Sequence, residues 1–111
     1  MKLITAIVRP DRLEELIDTL IDNQVRGLTV TEVRGFGRQF GQLAHAAGPP
    51  RVALLPKIRL DIVALDDDVE TLVEAITKHA RTETIGDGKI WITPVDGALR
   101  VRTGERDRAA I

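Results

Sequence analysis

An α+β sandwich, in which one antiparallel sheet carries two helices on a single face, is the fold class the sequence predicts. Three observations predict it: short apolar runs rich in β-branched residues, two stretches whose apolar residues recur at helical spacing, and their order, β-α-β-β-α-β. The 111 residues fit one domain, 1–111, and a domain of this size hides only about two-thirds of its unfolded surface. Extra burial by self-association is therefore favourable.

Leu3, Ile4, Ile7 and Val8 lie in a run that stops at Arg9-Pro10, as a buried strand does. From Asp11 the period changes. Leu13, Leu16, Ile17, Leu20 and Ile21 fall on one helical stripe, with Glu14, Glu15, Asp18 and Asp22 opposite and Asp11 expected as the cap. Leu28, Val30, Thr31 and Val33 read as the second strand, which ends in Gly35-Phe36-Gly37. Residues 37–56 show neither period, and their Gly, Ala and Pro content marks a mobile loop of roughly twenty residues, longer than compact domains keep without a purpose.

Lys57 to Leu65 returns to strand character, with Ile58, Leu60, Ile62 and Ala64 on one face. Asp66-Asp67-Asp68 supplies an acidic helix start, and Val69, Leu72, Val73, Ile76 and Ala80 form the second helical stripe. Residues 81–88 form a second loop, Lys89 to Ile92 a fourth strand before Pro94, and Ala98 to Arg102 a short run before a polar, mobile end over 102–111. This order is the split-βαβ, ferredoxin-like sandwich. No third helix is present to cover the other sheet face, so that face is expected to pack against further copies of the chain.

Composition excludes several functions. Aromatic residues are 3% of the chain, too few for a stacking platform on single-stranded nucleic acid, and a formal net charge of -1 exerts no overall pull on nucleic acid or anionic lipid. There is no cysteine and no serine, which removes disulfides, cysteine-bound zinc and the usual nucleophilic triads. The opening residues meet charge by Arg9 and lack a long apolar segment, so neither a signal peptide nor a membrane span is expected, and the cytoplasm is the default location. His45 and His79 lie far apart, and the three aspartates at 66–68 read as helix-start charges rather than a metal cluster.

Two segments carry candidate chemistry. In Ile85-Gly86-Asp87-Gly88-Lys89 two glycines bracket an acidic turn, which lets backbone N–H groups approach phosphate oxygens beside a lysine; the same pattern is also an ordinary turn. Arg100 and Arg102 occupy alternate positions, which on an extended segment form one fork of guanidinium groups, or else two solvated arginines paired with acidic neighbours.

MKLITAIVRP, GLTVTEVRGFGRQ, LPKIRLDIV, TIGDGKIWITPV and RVRTGERDRAAI together resemble, in order and from Met1 to Ile111, the PII nitrogen-regulatory signal proteins. The resemblance implies a non-catalytic homotrimer with nucleotide sites between subunits, where ATP and ADP compete. Residue by residue it implies a nucleotide site of Thr29, Gly35, Gly37, Arg38, Gly86, Asp87, Gly88, Lys89, Arg100 and Arg102. It further implies a 2-oxoglutarate site of Gln39, Gly41 and Lys57, with Gln39 a ligand of the Mg²⁺ held by ATP, and a protein target such as a membrane transporter or a metabolic enzyme. An ammonium pairs well with a carboxylate, and a side-chain carbonyl is a hard ligand for Mg²⁺.

The sequence departs from that pattern in places. It has no tyrosine, so modification of a loop tyrosine is excluded; Phe40 stands where lysine is common, the loop is one residue short, and Arg51 is the only arginine in its middle. Glu83-Thr84 replaces the usual Gly-Lys. The unusual loop leaves open a PII-like paralogue that binds adenine nucleotides with another small ligand, such as bicarbonate, and regulates carbon or other transport.

Overall fold

The computed structural model describes residues 1–38 and 53–111. Strand β1 (Lys2–Val8) leads through a one-turn 3-10 helix at Pro10–Arg12 into α1 (Leu13–Asp22), followed by β2 (Thr29–Gly35), β3 (Leu55–Ala64), a second 3-10 turn at Asp66–Asp68, α2 (Val69–Ala80) and β4 (Lys89–Pro94). All strand pairs are antiparallel, in the order β2-β3-β1-β4, and the two helices lie against each other. This is the expected ferredoxin-like sandwich.

The pleat explains the core. Ile4 faces Ile62 and Ala6 faces Leu60 across the central pair, and successive side chains alternate between sheet faces, so the even positions of β1 and β3 form one apolar surface. Ile4, Ala6, Val8, Ile58, Leu60, Ile62 and Ala64 are buried there beneath Leu16, Leu20, Leu72, Ile76 and Ala80 of the helices. The odd positions face away. That second face mixes Thr5, Arg59 and Asp61 with exposed Val63 and Trp91. Thr5 is fully buried and donates from Oγ1 to Asp61 Oδ1 at 2.8 Å, while Arg59 Nε reaches Asp61 Oδ2 at 2.9 Å.

Several local expectations are corrected. Asp11 does not cap α1: Pro10 sets the backbone of a 3-10 turn that contains Asp11, and the residue preceding α1 is Arg12, without a side-chain cap. The aspartates at 66–68 likewise form a 3-10 turn without side-chain capping, and Asp66 instead pairs with the Met1 ammonium at 2.9 Å and with Lys2 at 3.5 Å. Ile21 does not belong to the buried stripe; it is 59% exposed at the end of α1. Strand β3 begins at Leu55, two residues before the expected start, and most of the expected loop at 37–56 lies outside the described residues.

The C-terminal segment is not extended at Arg100–Arg102. The chain doubles back through residues 101–103: Arg100 N donates to Glu105 O, Gly104 N to Arg100 O and Asp107 N to Ala98 O, each at 2.8 Å. Gly104 has φ +75, the left-handed conformation this turn requires. Among the described residues no helix is long and apolar enough to cross a membrane.

If Leu16 anchors this core, Leu16→Ala lowers the free energy of unfolding by about 2–5 kcal/mol, whereas Ile21→Ala changes it by no more than about 0.5 kcal/mol. Chemical denaturation of the two variants at equal protein concentration checks the contrast.

Candidate functional site

The loop at 81–88 leaves α2 and returns to the start of β4, directly beside the end of β1. Its centre is the Asp87 carboxylate. Oδ2 accepts from the backbone N–H of Thr82 at 2.7 Å and of Glu83 at 2.8 Å; Oδ1 accepts from Arg9 Nε at 3.0 Å and from the Thr82 hydroxyl. Burial by itself raises the pKa of this carboxyl, but the Thr82 hydroxyl and amide, the Arg9 guanidinium and the Glu83 amide hold it well below the usual carboxylate range. Arg9 also spans the loop, with Nη2 donating to Thr84 Oγ1 at 2.9 Å and to the Ile85 carbonyl at 2.6 Å.

Both bracketing glycines are required by geometry. Gly86 has φ +99 and Gly88 φ +102. A Cβ at Gly88 would sit 1.7 Å from the carbonyl oxygen of Ile7, so any side chain there displaces either the loop or the end of β1. From β3, Lys57 Nζ donates to the Gly86 carbonyl at 2.7 Å. Burial, then the Arg9 charge, lowers the pKa of this ammonium from its ordinary value, with Asp87 and Asp11 acting in the opposite direction.

Between this loop and the facing ends of β2 and β3 lies a cleft of about 720 Å³, within the range of small-molecule sites. Gly35, Gly37, Arg38, Lys57, Gly86, Asp87, Gly88 and Lys89 all line it, so the structure brings together eight of the residues singled out in the sequence. Its apolar lining includes Ile7, Val33 and the Trp91 ring. Among the described residues, Arg34, Arg38, Lys57, Arg59 and Lys89 line it against one carboxylate, Asp87, which is already surrounded by donors. Such a cleft suits an anionic ligand.

The remaining expected residues fall elsewhere. Thr29 sits opposite Asp61 at the far end of β2; Arg100 pairs with Glu105 at 3.6 Å beside the C-terminal turn, which contains Arg102. None of these three lines the cleft of the same chain. Gln39 and Gly41 lie outside the described residues. Among the described residues no group of three or more His, Cys, Asp or Glu side chains is placed to hold a metal ion.

Comparison with known proteins decides the family. The profile of the family described as "Nitrogen regulatory protein P-II" matches residues 1–105. The chain belongs to the P-II family. The "Nitrogen regulatory protein P-II 2" of Methanothermobacter thermautotrophicus is 50% identical, covering 100% of this chain and 97% of that protein. The "Nitrogen regulatory protein P-II" of Synechocystis and the "Nitrogen regulatory protein GlnK" of Escherichia coli are 46% and 42% identical, each over the full length of both chains. P-II proteins are regulatory signal proteins rather than enzymes, and signal transduction through protein targets is the role that membership brings.

Sequence reasoning missed Arg9, Thr82 and Thr84 as organisers of the P-II loop. Arg9 and Asp87 are 78 positions apart, and only the pairing of β1 with β4 brings them together. The one sequence signal is an arginine that ends a buried strand where a charge has no role in the core.

Asp87 also makes a pH prediction. Its carboxyl is depressed in the folded protein, so its contribution to stability is fully present above the ordinary value of 3.8 and is lost as pH falls toward the folded value. Urea denaturation of parent and Asp87→Asn is expected to show a stability gap at pH 6 that narrows below about pH 4; a gap unchanged at pH 3 contradicts this role.

Proposed function

We propose that the chain is a nucleotide-responsive regulator in which an adenine nucleotide occupies the cleft, its phosphates against Gly86, Asp87, Gly88 and Lys89. One observation carries the reading. Among the described residues the one carboxylate lining the cleft, Asp87, is consumed by loop donors, and of the lining cations Arg59 is held by Asp61, so the charges that remain to meet a ligand are Arg34, Arg38, Lys57 and Lys89. Gly35 and Gly37 support it, since among the described residues nothing lies within 4 Å of where their Cβ atoms would stand and a ligand can approach their backbone closely.

In this reading the regulator is a cytoplasmic homotrimer. Val63 and Trp91, each 38% exposed on the face opposite the helices, give a neighbouring copy apolar surface to cover. Thr29, Arg100 and Arg102 then serve the cleft of a neighbouring copy, which accounts for their distance from the cleft of their own. Mg²⁺ enters on the phosphates of ATP, which suits a chain whose described residues offer no carboxylate cage, with Gln39 as its protein ligand.

A 2-oxoglutarate carboxylate then pairs with Lys57, with Gln39 and Gly41 as the further residues expected to serve it. Because Lys57 also donates to Gly86, the second effector and the phosphate loop share one cation, and a ligand that binds one arrangement better shifts the population toward it. The protein target, a transporter or an enzyme of nitrogen metabolism, reads the resulting conformation.

Calorimetry tests the reading. ADP or ATP is expected to bind with a dissociation constant in the micromolar range or below, weakened at least about tenfold by Lys89→Ala, with 2-oxoglutarate tightening ATP in the presence of Mg²⁺. Absence of nucleotide binding overturns the reading. Binding of ATP that ignores 2-oxoglutarate and Lys57→Ala but responds to bicarbonate moves the chain to a paralogue with a different second ligand.

A further inference from the structure

The hydrogen bonds around Asp87 close into a ring with a defined direction. The Thr82 hydroxyl has one proton, and it goes to Asp87 Oδ1. The 2.5 Å bond between Thr82 Oγ1 and Thr84 Oγ1 must then use the proton of Thr84, and Thr84 in turn accepts from Arg9 Nη2 at 2.9 Å. Arg9 Nε closes the ring on Asp87 at 3.0 Å. Between the two threonines, Glu83 is held at φ +63, a conformation that non-glycine residues adopt only where the surroundings impose it.

The same cations neutralise the acceptors of the loop. Arg9 Nη2 takes the Ile85 carbonyl at 2.6 Å and Lys57 Nζ takes the Gly86 carbonyl at 2.7 Å, so two consecutive carbonyls and one carboxylate are each compensated before any anion arrives. A phosphate that approaches Gly86–Lys89 therefore meets no unbalanced negative end from these groups, and the loop needs no rearrangement to receive it.

We propose that Thr84, held by Arg9, is a positioning residue that preshapes this loop for the phosphates of the ligand and so sets discrimination between phosphorylated nucleotides and the bare nucleoside. Thr84 also lines the cleft, so the exchange of the Thr82 and Glu83 amides without ligand separates its action through Thr82 and Asp87 from direct contact with the ligand. The inference rests on the nucleotide reading above. Removing the hydroxyl opens the ring at the point where Glu83 is strained, while serine preserves it.

The test compares parent, Thr84→Val and Thr84→Ser as full-length assembled protein, with two readouts. Calorimetry with ATP and ADP, and shift titration with adenosine, are expected to show Thr84→Val weakening both nucleotides about tenfold with adenosine unchanged and Thr84→Ser within about twofold of parent. Hydrogen exchange without ligand is expected to show the Thr82 and Glu83 amides exchanging about tenfold faster in Thr84→Val. ATP affinity equal to parent, or an equal loss for adenosine and ATP, overturns the proposal. If the parent binds neither nucleotide, the nucleotide reading and the proposed discrimination both fall; the exchange readout then decides the ring by itself, and unchanged Thr82 and Glu83 amides in Thr84→Val overturn that as well.

Discussion

The tie between Arg9 and Asp87 is the constraint on which the site depends. It joins the end of the first strand to the loop before the last, and the same guanidinium holds Thr84 and the Ile85 carbonyl. A carboxylate partly shielded from water is costly unless its oxygens are met, and here two backbone amides, a hydroxyl and a guanidinium meet them. An acidic residue in a cleft lined by cations looks contradictory in the sequence. In the folded chain it gathers the loop, while the net field of the cleft remains positive.

The sandwich makes this tie possible. With β1 and β3 at the centre of the sheet, the even residues commit their side chains to the helices, and the odd residues and strand ends are left for function. Arg9 lies just beyond the last buried residue of β1, Lys57 just before the first buried residue of β3, and Lys89 opens β4. Three cations at the ends of three neighbouring strands therefore lie at one end of the sheet without any of them entering the core. Gly88 lets the loop pass against the Ile7 carbonyl so closely that no other residue fits, which brings backbone rather than side chain to the cleft wall.

Much of this was legible in the sequence because periodicity records burial. Ile58, Leu60, Ile62 and Ala64 were readable as one face, and all four are buried. Leu72, Ile76 and Ala80 were readable in the same way, and so was a glycine-framed loop before a lysine. What was not legible depended on contacts distant in sequence or on turn chemistry that overrides a local rule. Alternation at Arg100 and Arg102 suggested an extended fork, but the left-handed Gly104 and the bonds between Arg100 and Glu105 fold that stretch into a turn. Asp11 looked like a cap, but Pro10 began a 3-10 turn first. Ile21 has the spacing of the stripe, yet the helix ends there and leaves it in solvent. The role of Arg9 required the register of the whole sheet.

In the proposed reading the ligand of this P-II protein is received in the cleft between the Asp87-centred loop and the ends of β2 and β3. Amide shift mapping with ADP tests it most directly, because the cleft is framed by glycines whose N–H signals are resolved from most others. The account predicts that the largest shifts fall on Gly35, Gly37, Gly86, Gly88 and Lys89. Shifts centred on the helices, or none at saturating ADP, would contradict it.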